Sequence, residues 1–220
     1  MANSTDGYRP SRSISSGSGE VNQLQFLVRS LISKMSSSAP VEVISATNDG
    51  GVSPIGYVAI RPLVQQIDGD GNVIDHGIIY NVPYMRIQGG SNAVILDPQV
   101  GDIGIAIFCD KDISVVKATG AAAPPGSARR FAMSDAVYLQ SILSSVPAQY
   151  VRFSDEGIEL VSPQQVHIQT PTVVIDGDTT INGALAVNGG GVTNDGVDIG
   201  KTHRHTGVTP GSGTSGAPST

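Results

Sequence analysis

From Val151 onward, apolar residues occur only in short alternations that Gly, Asp, Pro and Asn residues interrupt, with a turn predicted at 155–156. Alternation places apolar side chains on one face of an extended strand, but each group is too small to build a core within one chain. Three identical chains wound together would instead fill a narrow central prism with these side chains. The pattern therefore predicts an intertwined trimeric β-helix over 149–200, and the alternative is a loose, partly disordered tail.

The composition favours β-structure with many turns, or an extended assembly that buries surface between chains, and it argues against a nucleic-acid partner. The 220 residues include 27 Gly and no Trp, and aromatic residues make up 5 %. A single globular core built from such a chain would be thin. The net charge is −6, whereas phosphate binding needs clustered Lys and Arg. We interpret the adjacent pair Arg129-Arg130 as solvated charge in a linker.

Two further features concern reactivity and membranes. Cys109 is the only cysteine, and its apolar neighbours predict a small buried side chain that is not a nucleophile. The N-terminus has neither the charged nor the apolar region of a signal peptide, and no stretch approaches the ~18 apolar residues of a membrane span. We therefore expect a protein that is made in a cytoplasm and contacts any membrane from outside.

The N-terminal part predicts a helix after a flexible start. Residues 1–19 are rich in Ser and Gly, which favours flexibility. The a/d spacing of a helix seam follows, and it is formed by Val21, Leu24, Val28, Leu31 and Met35. We predict a helix over 20–40. Because two heptads are too short for a stable free coiled coil, the helix would dock on its own barrel or on a neighbouring subunit.

Residues 41–117 predict a small closed β-barrel of the OB-like type, because five or six short strands separated by turn residues fit that architecture. The predicted strands are 41–45, 56–61 with a continuation at 63–67, 78–80, 84–87, 93–96 and 103–108. Turns are predicted at 68–72 and 97–102. Residues 118–148 are predicted to be a linker, with a weak helical turn or an irregular segment at 134–146.

The C-terminal sequence contains the strongest candidate for a binding site. Only one residue separates His203 from His205, so on an extended strand both side chains point to one face and Arg204 points to the other. Two imidazoles cannot complete a metal site, but three chains around a three-fold axis would bring six. Imidazole suits Fe, Zn, Cu and Ni, and six ligands favour Fe or Ni over four-coordinate Zn. The alternative is a solvated pair near a flexible tail.

The segments described above are followed by the sequence HRHTGVTPGSGTSGAPS, which occupies 203–219. The whole arrangement resembles the central membrane-puncturing spike protein of contractile-tailed bacteriophages, the baseplate assembly protein V-like family. The architecture of nearly the whole chain is similar, while the match at the level of motif is confined to 201–220. The resemblance implies that this segment forms the apex, where His203 and His205 of three chains bind one iron ion.

The same resemblance implies a structural, non-enzymatic protein of the virion. It would be a homotrimer held by a baseplate hub protein at its N-terminal end, and tail contraction would drive its tip through the host outer membrane. No lysozyme-like insertion interrupts this chain, as one does in some larger spikes. A contractile bacteriocin or a secretion particle would use the same part.

Other functions stay open at this point. A trimeric receptor-binding tail fibre would predict an aromatic-rich C-terminal knob, but no aromatic residue follows Phe153. A small His-metal hydrolase or oxidase would need an open coordination position and a nearby base. The segment 68–72 begins like a calcium loop, yet Val73 and Ile79 stand where Gly and Glu are required, so we predict a simple hairpin turn there.

Overall fold

A computed structural model describes residues 19–33, 35–68, 70–200, 203–204, 206–207 and 211–213. The chain divides into two compact units, Met1–Val161 and Ser162–Thr220. Within the described residues the fold is mainly β with few helices, as the sequence predicted. Of the predicted flexible segment 1–19, residues 1–18 lie outside the described residues.

The regular elements of the described residues are mostly short strands. In chain order they are α1 (Glu20–Ile32), β1 (Ser38–Ala46), β2 (Tyr57–Pro62), β3 (Gln66–Ile67), β4 (Val73–Ile74), β5 (Ile79–Pro83), β6 (Ile87–Gly89), β7 (Asn92–Val94), β8 (Ile103–Phe108), α2 (Ser114–Thr119), a 3₁₀ turn (Met133–Asp135), β9 (Ala136–Ser141), β10 (Tyr150–Ser154), β11 (Gly157–Val161), β12 (Thr193–Asn194) and β13 (Val197–Asp198).

Helix α1 confirms the predicted seam segment, but it is shorter than the predicted 20–40. It ends at Ile32, and the chain enters strand β1 at Ser38. Ser is a weak helix former and Pro40 lacks the N–H that a helix interior needs, so the chain extends at this point. Glu20 lies in the first turn and Arg29 in the last, where each charge complements the helix dipole.

Five strands form one sheet in the order β5-β2-β1-β8-β9, and every neighbouring pair is antiparallel. The sheet curls until its edge strands meet. Tyr84, directly after β5, forms a parallel bridge with Tyr138 of β9, and the Met85 N–H donates to the Tyr138 carbonyl at 2.9 Å. The result is a curled half-barrel sheet whose two edges touch at one point.

The hydrophobic core lies inside this curl. The two-residue period of a strand buries Val41 and Val43 of β1 completely and leaves Glu42 between them half-buried. The neighbouring strands add side chains from the same concave face. The full core cluster is Val41, Val43, Val58, Ile60, Val82, Tyr84, Ala106, Phe108, Ala136 and Tyr138.

Strand β9 corrects the prediction for the segment 134–146. The helical turn or irregular segment expected there is instead a strand over Ala136–Ser141, which pairs with β8 and contributes Ala136 and Tyr138 to the core. Its intervening residues, Val137 and Leu139, are half-buried and also apolar. Apolar residues on both faces hide the two-residue period, which is the main sequence signal for a strand.

The predicted turns are confirmed. Strands β3 and β4 pair around 68–72, and β10 and β11 pair around 155–156. At 97–102, the Asp102 N–H donates to the Gln99 carbonyl at 3.1 Å, and the Gln99 N–H donates to the Asp102 carboxylate at 2.8 Å. In the described residues of the second unit, the paired strands are β12 and β13. The trimeric β-helix predicted for 149–200 stays a prediction.

Candidate assembly surface and C-terminal tip

The second unit leaves its apolar alternations exposed. None of residues 162–200 is buried. Most of its large apolar side chains are exposed, and those of the alternations are between 48 % and 75 % exposed, namely Val166, Ile168, Val173, Val174, Ile175, Ile181, Leu185 and Val187. Burying one such side chain fully is worth about 1.5–3 kcal/mol. Because soluble monomers rarely expose large contiguous apolar patches, this surface is a candidate interface.

The hairpin of β10 and β11 has one apolar face and one charged face. Val151 lies opposite Leu160, and Phe153 lies opposite Ile158. These four side chains are 57–76 % exposed. On the other face, Arg152 donates to the Glu159 carboxylate at 2.9 Å. A two-stranded hairpin is marginally stable by itself, so its apolar face is a second candidate interface.

The apolar seam of helix α1 is also exposed. Val21, Leu24, Val28 and Leu31 are 45–70 % exposed, and no residue of the helix is buried. The sequence left two docking sites open for α1, namely the barrel of its own chain and a neighbouring subunit. Because the seam is exposed, the barrel of the same chain does not cover it.

Of the two predicted metal ligands, His203 lies within the described residues. The His203 N–H donates to the Gly200 carbonyl at 3.2 Å, and the ring Nδ1 lies 2.5 Å from the same oxygen. Since a carbonyl oxygen only accepts hydrogen bonds, Nδ1 is the donor in this contact. Metal-ligating imidazoles commonly donate their other ring N–H to a backbone carbonyl, and the role of His203 as a ligand stays a prediction.

His205, the other predicted ligand, lies outside the described residues, and Arg204 between them is exposed. Within the described part of a single chain, no three His, Cys, Asp or Glu side chains form a group that would hold a metal ion. The predicted centre needs His205 and two further chains, so it stays a prediction.

The structure contains a buried ion pair, Arg86–Asp97, that the sequence did not reveal. The Arg86 guanidinium donates to the Asp97 carboxylate at 2.6 Å, and both side chains are at least 96 % buried. The Tyr84 hydroxyl donates to the same carboxylate at 2.6 Å, and the Gly50 N–H donates at 3.2 Å. Arg86 also donates to the Ser53 carbonyl at 2.7 Å. These groups tie the β1–β2 loop to the barrel.

A second ion-pair cluster corrects the interpretation of Arg129 as solvated linker charge. Its guanidinium contacts the carboxylates of Asp112 at 2.8 Å and Asp135 at 2.6 Å, and both acidic side chains are almost fully buried. Arg130 is 3.7 Å from Asp110, and both are more than half exposed. The sequence identifies the charged pair but not the two buried carboxylates, which lie before and after it in the chain.

The remaining candidate motifs have structural roles. The Asp68 carboxylate accepts hydrogen bonds from the N–H groups of Asp70 and Asn72 and from the Asn72 side chain, which lower the pKa of Asp68. It closes a hairpin turn, as predicted. Cys109 is half-buried, less than predicted, and burial raises the pKa of its thiol. A raised pKa disfavours the nucleophilic thiolate.

An open groove of ≈ 630 Å³ lies near the buried ion pair, between Gly50, Leu96, Gln99 and Gln140. The Asp97 carboxylate in its wall already accepts hydrogen bonds from Tyr84, Arg86 and Gly50.

Among the described residues, no helix is long and apolar enough to cross a membrane.

Comparison with known proteins gives a match to part of the curled sheet. Residues 53–141, from just before β2 to the end of β9, match a family model described as the N-terminal domain of phage protein Gp138. The match covers less than half of the chain. A comparison of the chain with curated proteins found no match. It indicates a phage tail-associated protein of the virion, with a structural role in the tail or baseplate.

Proposed function

We propose that three copies of this chain form the central spike of a contractile phage tail, which pierces the host outer membrane during infection. The match of the barrel to a phage protein domain supports a place in the tail. The finer assignment depends on the rest of the chain, where an exposed apolar shaft precedes a histidine pair. We propose a mechanical role without a catalytic centre, in which the contracting sheath supplies the work.

The observation that carries the proposal is that no apolar side chain between 162 and 200 is buried and that most of them are exposed. These side chains alternate in the sequence, so on extended backbone one face of each short segment would be apolar. Three chains wound around one axis would turn these faces inward and cover them. They would also pair the strand edges along the shaft, which a single chain leaves open.

We propose that the barrel is an OB-like domain that attaches the spike to a baseplate hub protein. Its five strands follow the order β1-β2-β5-β9-β8, and the contact between β5 and β9 is parallel while the others are antiparallel. An OB barrel is a five-stranded, partly open Greek-key barrel, and this order agrees with it. The exposed seam of α1 at the same end of the chain is available to neighbouring subunits or to the hub.

At the opposite end of the chain, we propose that His203 and His205 of three chains bind one iron ion. The contact between His203 Nδ1 and the Gly200 carbonyl is of the kind that metal-ligating imidazoles commonly make. Chain ends fray unless they are tied down, and a metal that binds only the assembled state adds its binding free energy to the stability of that state. The ion would therefore stiffen the point that first meets resistance.

Immunogold labelling of intact particles tests the location. Antibodies against residues 203–220 should label one site per tail, at the centre of the baseplate. Label distributed along lateral fibres would instead support a trimeric receptor-binding tail fibre. Particles without a genome that carry the same label would identify a bacteriocin-like or secretion spike.

An assay with cell-envelope polymers tests the non-enzymatic role. The purified trimer, loaded with iron, should release no soluble fragments from peptidoglycan or surface polysaccharide. Release that disappears in a double His203→Ala, His205→Ala variant would contradict the mechanical assignment and support a metal hydrolase.

A further inference from the structure

The apolar surface of helix α1 extends beyond its seam. With Val21 at position a of a heptad, the seam fills the a and d positions, and Leu27 and Ile32 fall at g and e. These two flanking side chains are 55 % and 60 % exposed. They are five residues apart, which separates them by about 140° around an α-helix. The seam and its two flanking residues together form an apolar stripe, which is wider than the a/d surface that a two-stranded coiled coil needs.

The side of α1 opposite this stripe is the less exposed side. Asn22 and Ser30 are half-buried there, and Phe26 between them is 37 % exposed. Every residue of the stripe is at least 45 % exposed. A helix docked on its own domain through its apolar face shows the reverse distribution, so the stripe is available to a partner.

The sequence of the chain narrows the choice of partner. Of residues 1–18, which precede the helix, four are apolar, namely Met1, Ala2, Tyr8 and Ile14, and they lack the spacing of the seam. An a/d pattern packs on another helix that has the same pattern. Within the described residues the other α-helix is α2, which has six residues and is too short to cover the stripe. The helix that fits is therefore α1 of another copy.

We propose that three copies of α1 pair in a parallel coiled coil. This inference rests on the proposed trimer and adds an interface to it. Val at a with Leu at d favours two strands when the seam stops at those positions. Here the apolar g and e positions widen the contact surface, and a third helix gives each helix an apolar neighbour on both sides.

Parallel packing specifies which side chains meet. In a parallel coiled coil the g position of one helix faces the e position of the following heptad on its neighbour. Leu27 of one copy therefore contacts Ile32 of the next. One heptad earlier, Glu20 faces Gln25, whose amide donates to the carboxylate. Antiparallel packing would instead place g against g and e against e. Arg29, at position b, lies outside the interface in both arrangements.

The length of α1 shows why this interface depends on the rest of the trimer. The helix has 13 residues, and isolated helices of that length are marginal in water. Once other contacts have brought three chains together, pairing of their helices is intramolecular and needs far less affinity. The coiled coil therefore adds stability to a trimer that other contacts assemble.

Crosslinking between two different variants tests the register. Both variants are full-length and also carry Cys109→Ala, which removes the only native cysteine. One variant has Leu27→Cys and the other has Ile32→Cys, and the two are co-expressed so that mixed trimers form. A short bismaleimide reagent should convert the mixed trimers to a covalent dimer on a denaturing gel. Neither variant by itself should give that product.

The control pair is Gln23→Cys with Arg29→Cys, because both side chains are exposed and occupy positions c and b, outside the stripe. Their mixture should stay uncrosslinked. Covalent dimers from Leu27→Cys or Ile32→Cys alone would indicate antiparallel packing and overturn the proposal. Mixed trimers that do not crosslink, or that crosslink no better than the control pair, would also overturn it.

A substitution within the seam tests the same interface without a reagent. Leu24→Ala removes a seam side chain and retains helix propensity, so the trimer should dissociate at a lower temperature. No residue of α1 belongs to the barrel core, so the barrel should melt as in the unmodified chain. Gln23→Ala should change neither temperature, and equal dissociation temperatures for the two variants contradict the coiled coil. A monomeric unmodified chain would contradict the proposed function itself, whereas a trimer without the crosslink between positions 27 and 32 contradicts the coiled coil alone.

Discussion

The ring of Tyr138 lies directly against the backbone of Gly104 on the neighbouring strand. A Cβ atom on residue 104 would come within 2.5 Å of the Tyr138 hydroxyl oxygen and within 2.6 Å of two ring carbons. Tyr138 is 1 % exposed, and its backbone joins the two edges of the curled sheet through Tyr84 and Met85. The absence of a side chain at 104 therefore allows the barrel to curl shut at this point.

Gly104→Ala should destabilise the barrel by about 1–3 kcal/mol, because a ring held on all sides cannot move away from the new methyl group. Thermal denaturation of the full-length protein measures the loss. Gly77→Ala is the matched control, since a Cβ there meets nothing within 4 Å, and its effect should stay within about 0.5 kcal/mol. Equal effects of the two changes would mean that the contact does not support the curl.

Substitutions of the adjacent residues Arg129 and Arg130 should differ sharply in their effect on the free energy of unfolding. Arg129→Met leaves the buried carboxylates of Asp112 and Asp135 without their cation. We expect a loss of about 1–3 kcal/mol, below the value for a fully buried pair because Arg129 is itself 40 % exposed. Arg130→Met removes only an exposed 3.7 Å contact, so its effect should be near zero. Similar unfolding midpoints in denaturant for the two variants would restore the interpretation of both as solvated charges.

The same cluster predicts how the barrel responds to acid. Hydrogen bonds from Ser114 and Ser127 lower the pKa of Asp112 to about 2, and Arg129 lowers the pKa of Asp135. An Asp in an unfolded chain has a pKa of ~3.9, so the unfolded state binds these protons first as the pH falls. The stabilisation is present above about pH 4 and is lost towards about pH 2.

The melting temperature of the barrel should therefore fall steeply over that window. An Asp112→Asn variant should be less stable at neutral pH and should lose less stability on acidification, because one of the titrating groups is gone. If the variant and the unmodified protein lose stability in parallel, the acid response has another source.

The histidine pair should matter for the metal but not for the shaft. A His203→Ala, His205→Ala double variant should retain the proposed trimer and lose the iron, because in the proposed assembly the apolar interior of the shaft is independent of the histidines. Arg204→Lys, which changes the residue between them, should leave the iron content unchanged. Metal analysis after gel filtration checks both variants, and full iron content in the double variant would refute the ligand assignment.

The barrel was largely predictable because its signals are local. Val41 and Val43 alternate with polar or half-buried neighbours, and turn residues mark 68–72 and 97–102. Strand β9 was missed because Val137 and Leu139 make both of its faces apolar. The end of α1 was missed because the a/d spacing continues to Met35, while the helix ends at Ile32 before the run of serines.

The ion pairs were not predictable for a different reason. Arg86 and Asp97 are 11 residues apart, and Asp112 and Asp135 lie on opposite sides of Arg129 in the chain. Which charges meet depends on the curl of the sheet, and a sequence without its fold does not contain that distance. The histidine pair stays a prediction from its one-residue spacing, because a metal centre would form only between chains.

Native mass spectrometry with metal analysis on the purified full-length chain tests the central claim most directly. The exposed shaft surface and the histidine pair predict an assembly of three chains that contains one iron ion, which persists on dilution. A folded monomer without metal would contradict the account, because the apolar side chains between 162 and 200 would then remain in water with nothing to cover them.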